Sequence, residues 1–250
     1  MHIIKNPWDE LFKELVKGAK EKIYCSSPFI KGNVARIIIE NRNKSIDCKI
    51  LTKFTLPNVR GGGLDLDSIQ DLINNNISIK IISNLHAKIF IFDSNVIITS
   101  ANLTNGGLIK NLEYGILLND RKDVENDFLS YFNDKNYNLI KEKDISKLKD
   151  IVSGLPEYKY FENNDLDGNE FFLEDINIVK SKLSNGNLLT YNCINEIGKK
   201  VFTTTDINRF AYKFNGRTPE NTIRRNLQEL RDLGLLEFVD YKGTYKKLWI

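Results

Sequence analysis

Apolar positions along the first 130 residues switch repeatedly between two spacings. Short alternating or continuous apolar runs read as strands: EKIYCSSPF, IDCKILTKF, ISIKIIS, HAKIFIFD, NVIITS and NLEYGILLN. Between them, apolar residues three and four apart read as helices: NPWDELFKELVKGAK, GNVARIIIENRN, DLDSIQDLINNN and RKDVENDFLSYFND. Asn6 is the expected cap of the first helix and Pro7 its first helical residue. Strands alternating with helices predict an α/β fold, a mixed sheet flanked by helices.

The pattern changes after residue 140. KEKDISKLKDIVSG has the spacing of a short helix, and EYKYFENNDLDGNEFFLED then carries seven acids against one Lys. Residues 141–176 therefore read as an acidic linker between a domain at 1–140 and a smaller one at 177–250. In the smaller domain YNCINEIGKK and TTTDINRFAYKF suggest helices, the second capped by Thr204 or Thr205. TPENTIRRNLQELRDLG has Thr218 as its cap, Pro219 in the first helical position, Ile223, Leu227 and Leu230 as a buried stripe, and Gly234 as its stop. Two short strands around Lys242-Gly243 follow. Three helices and a hairpin in this order predict a winged helix-turn-helix.

Composition adds limits. With 41% hydrophobic and 28% charged residues, the chain has the make-up of a globular protein. No apolar run approaches the roughly 20 residues of a membrane span, and the N-terminal segment has no signal-peptide pattern, so a cytoplasmic protein without a membrane partner is expected. Cys25, Cys48 and Cys193 are isolated and histidines number two, which leaves no basis for a disulfide framework or a His/Cys metal cluster. Charge is uneven. Residues 1–176 hold 23 Lys/Arg against 26 Asp/Glu, and residues 177–250 hold 13 against 7. A basic C-terminal third suits an anionic polymer.

The candidate chemistry lies at 85–113. On a strand, His86 and Lys88 share one face and Leu85, Ala87, Ile89 and Ile91 pack on the other. A lysine projecting from a central strand is costly unless it meets an anion. Asn102, just past the next strand, can donate to the same anion, and Glu113 begins the strand after that. An imidazole nucleophile, a cation, neutral donors and an orienting carboxylate are the parts that attack on phosphate requires. A His and a Lys two apart are, alone, most often a core histidine and a surface lysine. Here the pattern continues as His86-x-Lys88-x4-Asp93 and then Ser100-x-Asn102.

That pattern, with HAKIFIFDSNVIITSANLTNGGL around it and IYCSSPFI before it, resembles the H-x-K-x4-D-x6-G-S-x-N signature of the phospholipase D superfamily, its nuclease-like members above all. The likeness covers roughly residues 1–130 and departs at Thr99, where the family usually has Gly. The resemblance implies a phospholipase D-like sheet and a phosphohistidine mechanism in which two motifs share one site. This chain has one motif, and His2 cannot stand in for the second, so the resemblance implies a homodimer with the site on its two-fold axis. His86 of one copy would be the nucleophile and His86 of the other the general acid/base. Lys88, Ser100 and Asn102 would bind phosphate oxygens, Glu113 would orient His86, and Asp93 would support the local loop. No metal or other cofactor is implied.

In a winged helix the recognition helix enters the major groove by its N-terminal part. With Ile223 and Leu227 inward, Asn221, Thr222 and Arg225 face out as base readers, while Arg217, Thr218, Arg224, Lys242, Lys246 and Lys247 are the other expected DNA contacts, mostly to phosphates. NTIRRNLQELRDLGLLEFVDYKGTYKKLW resembles winged-helix tails of several restriction endonucleases. Together the halves predict a metal-independent type II restriction endonuclease acting on double-stranded DNA, with a methyltransferase acting on the same sites as the implied partner. The competing readings are a lipid phosphodiesterase, a DNA-binding regulator with an idle catalytic domain, and a winged helix that binds protein. Asp150, Glu157 and Lys159 loosely match a metal-dependent nuclease motif, and Gly61-Gly62-Gly63 beside Arg60 reads as a loop near the site. The acidic stretch, with Glu162, Asp165, Asp167 and Glu170, could also cover the DNA path.

Overall fold

The computed structural model describes residues 1–54, 59, 64–82, 84–154, 179–214, 219–240 and 243–248. Arg60, the three glycines after it, the whole acidic stretch with Glu157 and Lys159, Arg217, Thr218 and Lys242 lie outside the described residues. The chain divides into two compact units, one of Met1–Lys53 with Gly62–Ser146, the other of Phe54–Gly61 with Lys147–Ile250.

In the first unit the order is β1 (His2–Lys5), α1 (Asp9–Gly18), β2 (Lys22–Ser27), α2 (Gly32–Asn41), β3 (Asp47–Thr52), α3 (Leu66–Asn74), β4 (Ser78–Ile81), β5 (Ile89–Phe92), β6 (Asn95–Thr99), β7 (Tyr114–Asn119) and α4 (Lys122–Asn133). The sheet runs β1-β7-β6-β5-β2-β3-β4. Strands β2, β3 and β4 are parallel, and β2-β5-β6-β7-β1 are antiparallel to their neighbours. The central strands are apolar on both sides because both faces are covered. On one face Phe12 of α1 meets Phe90 and Phe92 edge-on at 6.0 and 5.6 Å, with Trp8 beside them. On the other, Phe128 of α4 stacks on Tyr24 at 5.1 Å over Ile91 and Val96. The Asp65 carboxylate caps α3 through the Asp67 amide.

The N-terminus differs from expectation. Asn6 does not cap α1, and Pro7 is not its first residue; the helix starts at Asp9 after Trp8. The Asn6 carboxamide is engaged elsewhere, donating to the Gly107 carbonyl at 2.9 Å. Strand β1, which four residues could not announce, is fixed by its antiparallel pairing with β7.

Residues 142–153 form a helix, α5 (Glu142–Ser153), that buries Ile145, Leu148 and Ile151. This is the short helix that the spacing of KEKDISKLKDIVSG predicts, with a buried stripe three residues apart.

The second unit continues with α6 (Asn185–Ile197), β8 (Val201–Thr203), α7 (Thr204–Asn208), a 3-10 turn (Ala211–Lys213), α8 (Pro219–Asp232), β9 (Leu236–Asp240) and β10 (Thr244–Lys247). Its antiparallel sheet has the order β8-β10-β9. The cap of α7 is Thr203 rather than Thr204 or Thr205. Its hydroxyl accepts from the Asp206 amide while the Asp206 carboxylate accepts from the Thr203 amide, and this reciprocal pair fixes the start. Ile223, Leu227 and Leu230 are buried as the spacing predicted, and Gly234 ends the helix at φ 74°. Among the described residues no helix is long and apolar enough to cross a membrane.

Candidate active site

The site is built at one end of β5, β6 and β7. Asp93, in the turn between β5 and β6 at φ 53°, lies at the far end of this hairpin. Its carboxylate accepts from the amides of Lys20, Glu21 and Lys22 at 2.8–2.9 Å. Burial raises its pKa, but the three amides and the Lys22 charge outweigh that and hold it below the usual range. Asp93 therefore fastens the hairpin to the start of β2.

His86 and Lys88 precede β5 and are not on a strand, contrary to the reading from alternation. The pairing of β2 with β5 stops at Ser26 and Ile89. Beyond it, the Ser26 hydroxyl takes the Ala87 carbonyl at 3.1 Å, so the segment leaves the ladder. Ala87 is consequently exposed instead of packed. The two polar side chains still come together. Lys88 Nζ donates to the His86 carbonyl at 2.8 Å and lies 3.2 and 3.4 Å from His86 Nε2 and Nδ1. Burial lowers the Lys88 pKa, and Glu113 works against that shift.

At the end of β6 the Ser100 hydroxyl donates to Glu113 Oε2 and accepts from the Tyr114 amide at 3.1 Å. Asn111 donates to Glu113 Oε1 at 3.1 Å. Among the described residues, then, the carboxylate expected to orient His86 has its hydrogen bonds to Ser100 and Asn111. Each of its oxygens accepts a hydrogen bond, and its charge also acts on Lys88. Asn102 is half-buried, and its Oδ1 is buried without a hydrogen-bond partner.

Two residues were quoted in the sequence reading without a role. Ser26 and Ser27 end β2 and are buried. Ser26 holds the segment carrying His86 and Lys88. The Ser27 hydroxyl accepts from the Leu103 amide at 3.0 Å and so holds the loop carrying Asn102. Adjacent small polar residues closing an apolar strand were the available signal.

In the second unit, Asn221, Arg224 and Arg225 are exposed on α8 and Thr222 is half-buried. Arg225 lies 3.8 Å from Glu229, which accepts from Asn187 at 2.8 Å. Buried Asn226 donates to the Gly186 carbonyl and to Thr190, fastening α8 to α6. Lys246 lies 3.5 Å from Glu237, and Lys247 is half-buried on the same strand.

Residues 12–135 match the family model described as cardiolipin synthase, phospholipase D-like domain, and residues 186–247 match the Dam-replacing helix-turn-helix domain. The chain joins a phospholipase D-like domain to a winged helix-turn-helix. The phospholipase D-like domain is similar in structure to Nuc, a phospholipase D family member from Salmonella typhimurium, at 18% identity and a TM-score of 0.47 over 56% of this chain and 97% of that one. NucT from Helicobacter pylori gives 16% and 0.41 over 52% and 91%. A phosphatidylserine synthase from Haemophilus influenzae gives 12% and 0.40 over 58% and 42%. No curated protein matches the sequence. Asp150, from the weak metal-nuclease motif, pairs with Lys182 at 3.0 Å, and among the described residues no three His, Cys, Asp or Glu side chains are grouped to hold a metal ion.

Proposed function

We propose that the chain is a sequence-specific DNA endonuclease of the type II restriction kind, metal-independent and active as a homodimer. The observation that carries this is the contact of Lys88 with His86 at the strand ends that also present Ser100 and Asn102, in a chain that ends in a winged helix. In this reading imidazole, ammonium, hydroxyl and carboxamide act on one phosphate held between them.

His86 attacks phosphorus, forming a P–N bond as the P–O bond to the leaving strand breaks, and His86 of the partner subunit protonates the departing oxygen. The same partner imidazole then takes a proton from water, whose oxygen attacks phosphorus and releases His86. Lys88 offsets the charge on the non-bridging oxygens, and the Asn102 NH2 donates a hydrogen bond to one of them. Glu113 acts by holding Ser100 rather than His86.

Support for the second copy comes from the open half of the sheet. α4 covers the face over Ile91 and Val96, but Ile3, Ile98 and Tyr114 next to the site are 68%, 37% and 54% exposed. An apolar surface beside an active site with one histidine fits a second copy laid against it.

The test is incubation of the purified protein and a His86→Ala variant with long duplex DNA in EDTA. Discrete fragments from wild type alone support the proposal. Fragments lost in EDTA point to metal-dependent cleavage, and specific binding without cleavage points to a regulator. Hydrolysis of phospholipid vesicles with no action on DNA points to a lipid phosphodiesterase.

A further inference from the structure

Asn102 is held from an unexpected direction. Its loop turns back through a π-helical turn, Gly106–Lys110, and Gly107 comes to rest on the Asn102 backbone. A Cβ on Gly107 would lie 2.2 Å from the Asn102 carbonyl oxygen and 2.7 Å from its amide nitrogen, so only glycine permits this approach. From the other side, the Gly107 carbonyl accepts two side-chain bonds, from Asn6 Nδ2 at 2.9 Å and from Trp8 Nε1 at 3.1 Å. The Trp8 amide also donates to the Leu108 carbonyl at 2.9 Å. Trp8 is buried against Phe12 and Phe90, and Phe90 lies two residues beyond Lys88.

The N-terminal segment therefore reaches the loop by three hydrogen bonds within two residues of chain. Neither helix α1 nor strand β1 contributes them; they come from the residues between. The Asn6 amide reaches across instead of capping α1, and its Oδ1 stays buried without a partner, a cost that a merely local cap would not carry. We infer that Asn6 and Trp8 are positioning residues for the phosphate site, fixing the Asn102 NH2 through Gly107. The inference rests on the proposed role of Asn102 as a phosphate donor. One carbonyl gripped by two donors leaves Gly107, and the backbone it touches, a single position, which a preorganised donor requires.

The experiment measures binding of inorganic phosphate to the full chain, following the Asn102 side-chain amide by NMR, for wild type, Asn6→Ala, Trp8→Phe and Asn102→Ala, and for the first two on the Asn102→Ala background. Trp8→Phe keeps an aromatic ring in the core while removing the indole donor and some volume, and Asn6 is half-buried, so Asn6→Ala provides a second variant that leaves the core intact. Each single change is expected to weaken phosphate binding about three- to tenfold and to shift the Asn102 amide signal. On the Asn102→Ala background the same changes should alter affinity less than about twofold, because they act through Asn102. Losses that multiply across the two backgrounds, or phosphate affinities and amide signals untouched by Asn6→Ala and Trp8→Phe while Asn102→Ala weakens binding, overturn this inference alone. An Asn102→Ala protein that binds phosphate like wild type overturns the reading of the site and the inference with it.

Discussion

Thr99 and Gly115 face each other across the β6–β7 ladder, and a Cβ on Gly115 would come within 2.8 Å of the Thr99 Cβ. The sequence places threonine where the resembled family usually has glycine. The structure supplies the missing space from the opposite strand. Thr99 then closes the corner by donating to the Tyr114 carbonyl at 3.0 Å and accepting from the Ala101 amide at 3.1 Å. Gly115→Ala alone should destabilise the protein by about 1–3 kcal/mol, the usual cost of overpacking. On a Thr99→Gly background, which has its own cost from the two lost hydrogen bonds, the same Gly115→Ala change should cost much less. Urea unfolding of the four proteins of this cycle measures it, and equal losses with and without Thr99→Gly would remove the compensation.

The proposed sharing of one site between two copies makes a quantitative prediction. When wild type and His86→Ala chains are unfolded together and refolded, activity should follow the square of the wild-type fraction, about a quarter at equal mixing, because a site with one histidine is idle. A linear dependence would mean that each chain works alone. Ile98→Glu places a charge on the open sheet face, and is expected to give a monomer by sedimentation that has lost cleavage while keeping its fold.

Much of this was legible in the sequence for local reasons. Ile223, Leu227 and Leu230 mark the buried side of α8 because a helix repeats every 3.6 residues, whatever surrounds it. His86 and Lys88 were legible as a pair but not in their conformation. Alternation continued the strand through them, whereas the pairing of β2 and β5 ends at Ser26. Asn6 and Ser27 were misread or passed over for one reason. Their partners, Gly107 and Leu103, are set by tertiary structure 101 and 76 residues away. Strand β8, three residues long, exists through its pairing with β10 and has no periodicity of its own.

Asp93 links stability to pH. Its pKa is depressed in the folded state, so its contribution is complete above the unfolded value near 4 and is lost as pH falls through the lower folded value. Asp93→Asn, which tolerates the positive φ, should cost about 1–2 kcal/mol at pH 7. The gap between variant and wild type should narrow below about pH 4, where the wild-type carboxyl also becomes neutral. Chemical denaturation at pH 7 and pH 3 tests this, and a gap that widens in acid would contradict the assignment.

The two kinds of positive charge in the winged helix should separate by salt. Arg225 projects from the exposed side of α8 and is steadied by Glu229, itself tied to Asn187, an arrangement suited to reading a base edge. Lys246 and Lys247 sit on β10, the second strand of the wing hairpin, where phosphates would meet them. Arg225→Ala should cost about 1–3 kcal/mol on the preferred sequence and relax discrimination at one base pair. Lys246→Ala or Lys247→Ala should weaken all duplexes alike and lower the slope of log K against log salt by about 1 each. Fluorescence titrations of cognate and scrambled duplexes at several salt concentrations distinguish them. A loss from Arg225→Ala that is the same on both duplexes would move Arg225 to the phosphates, and with it the orientation of α8 in the groove.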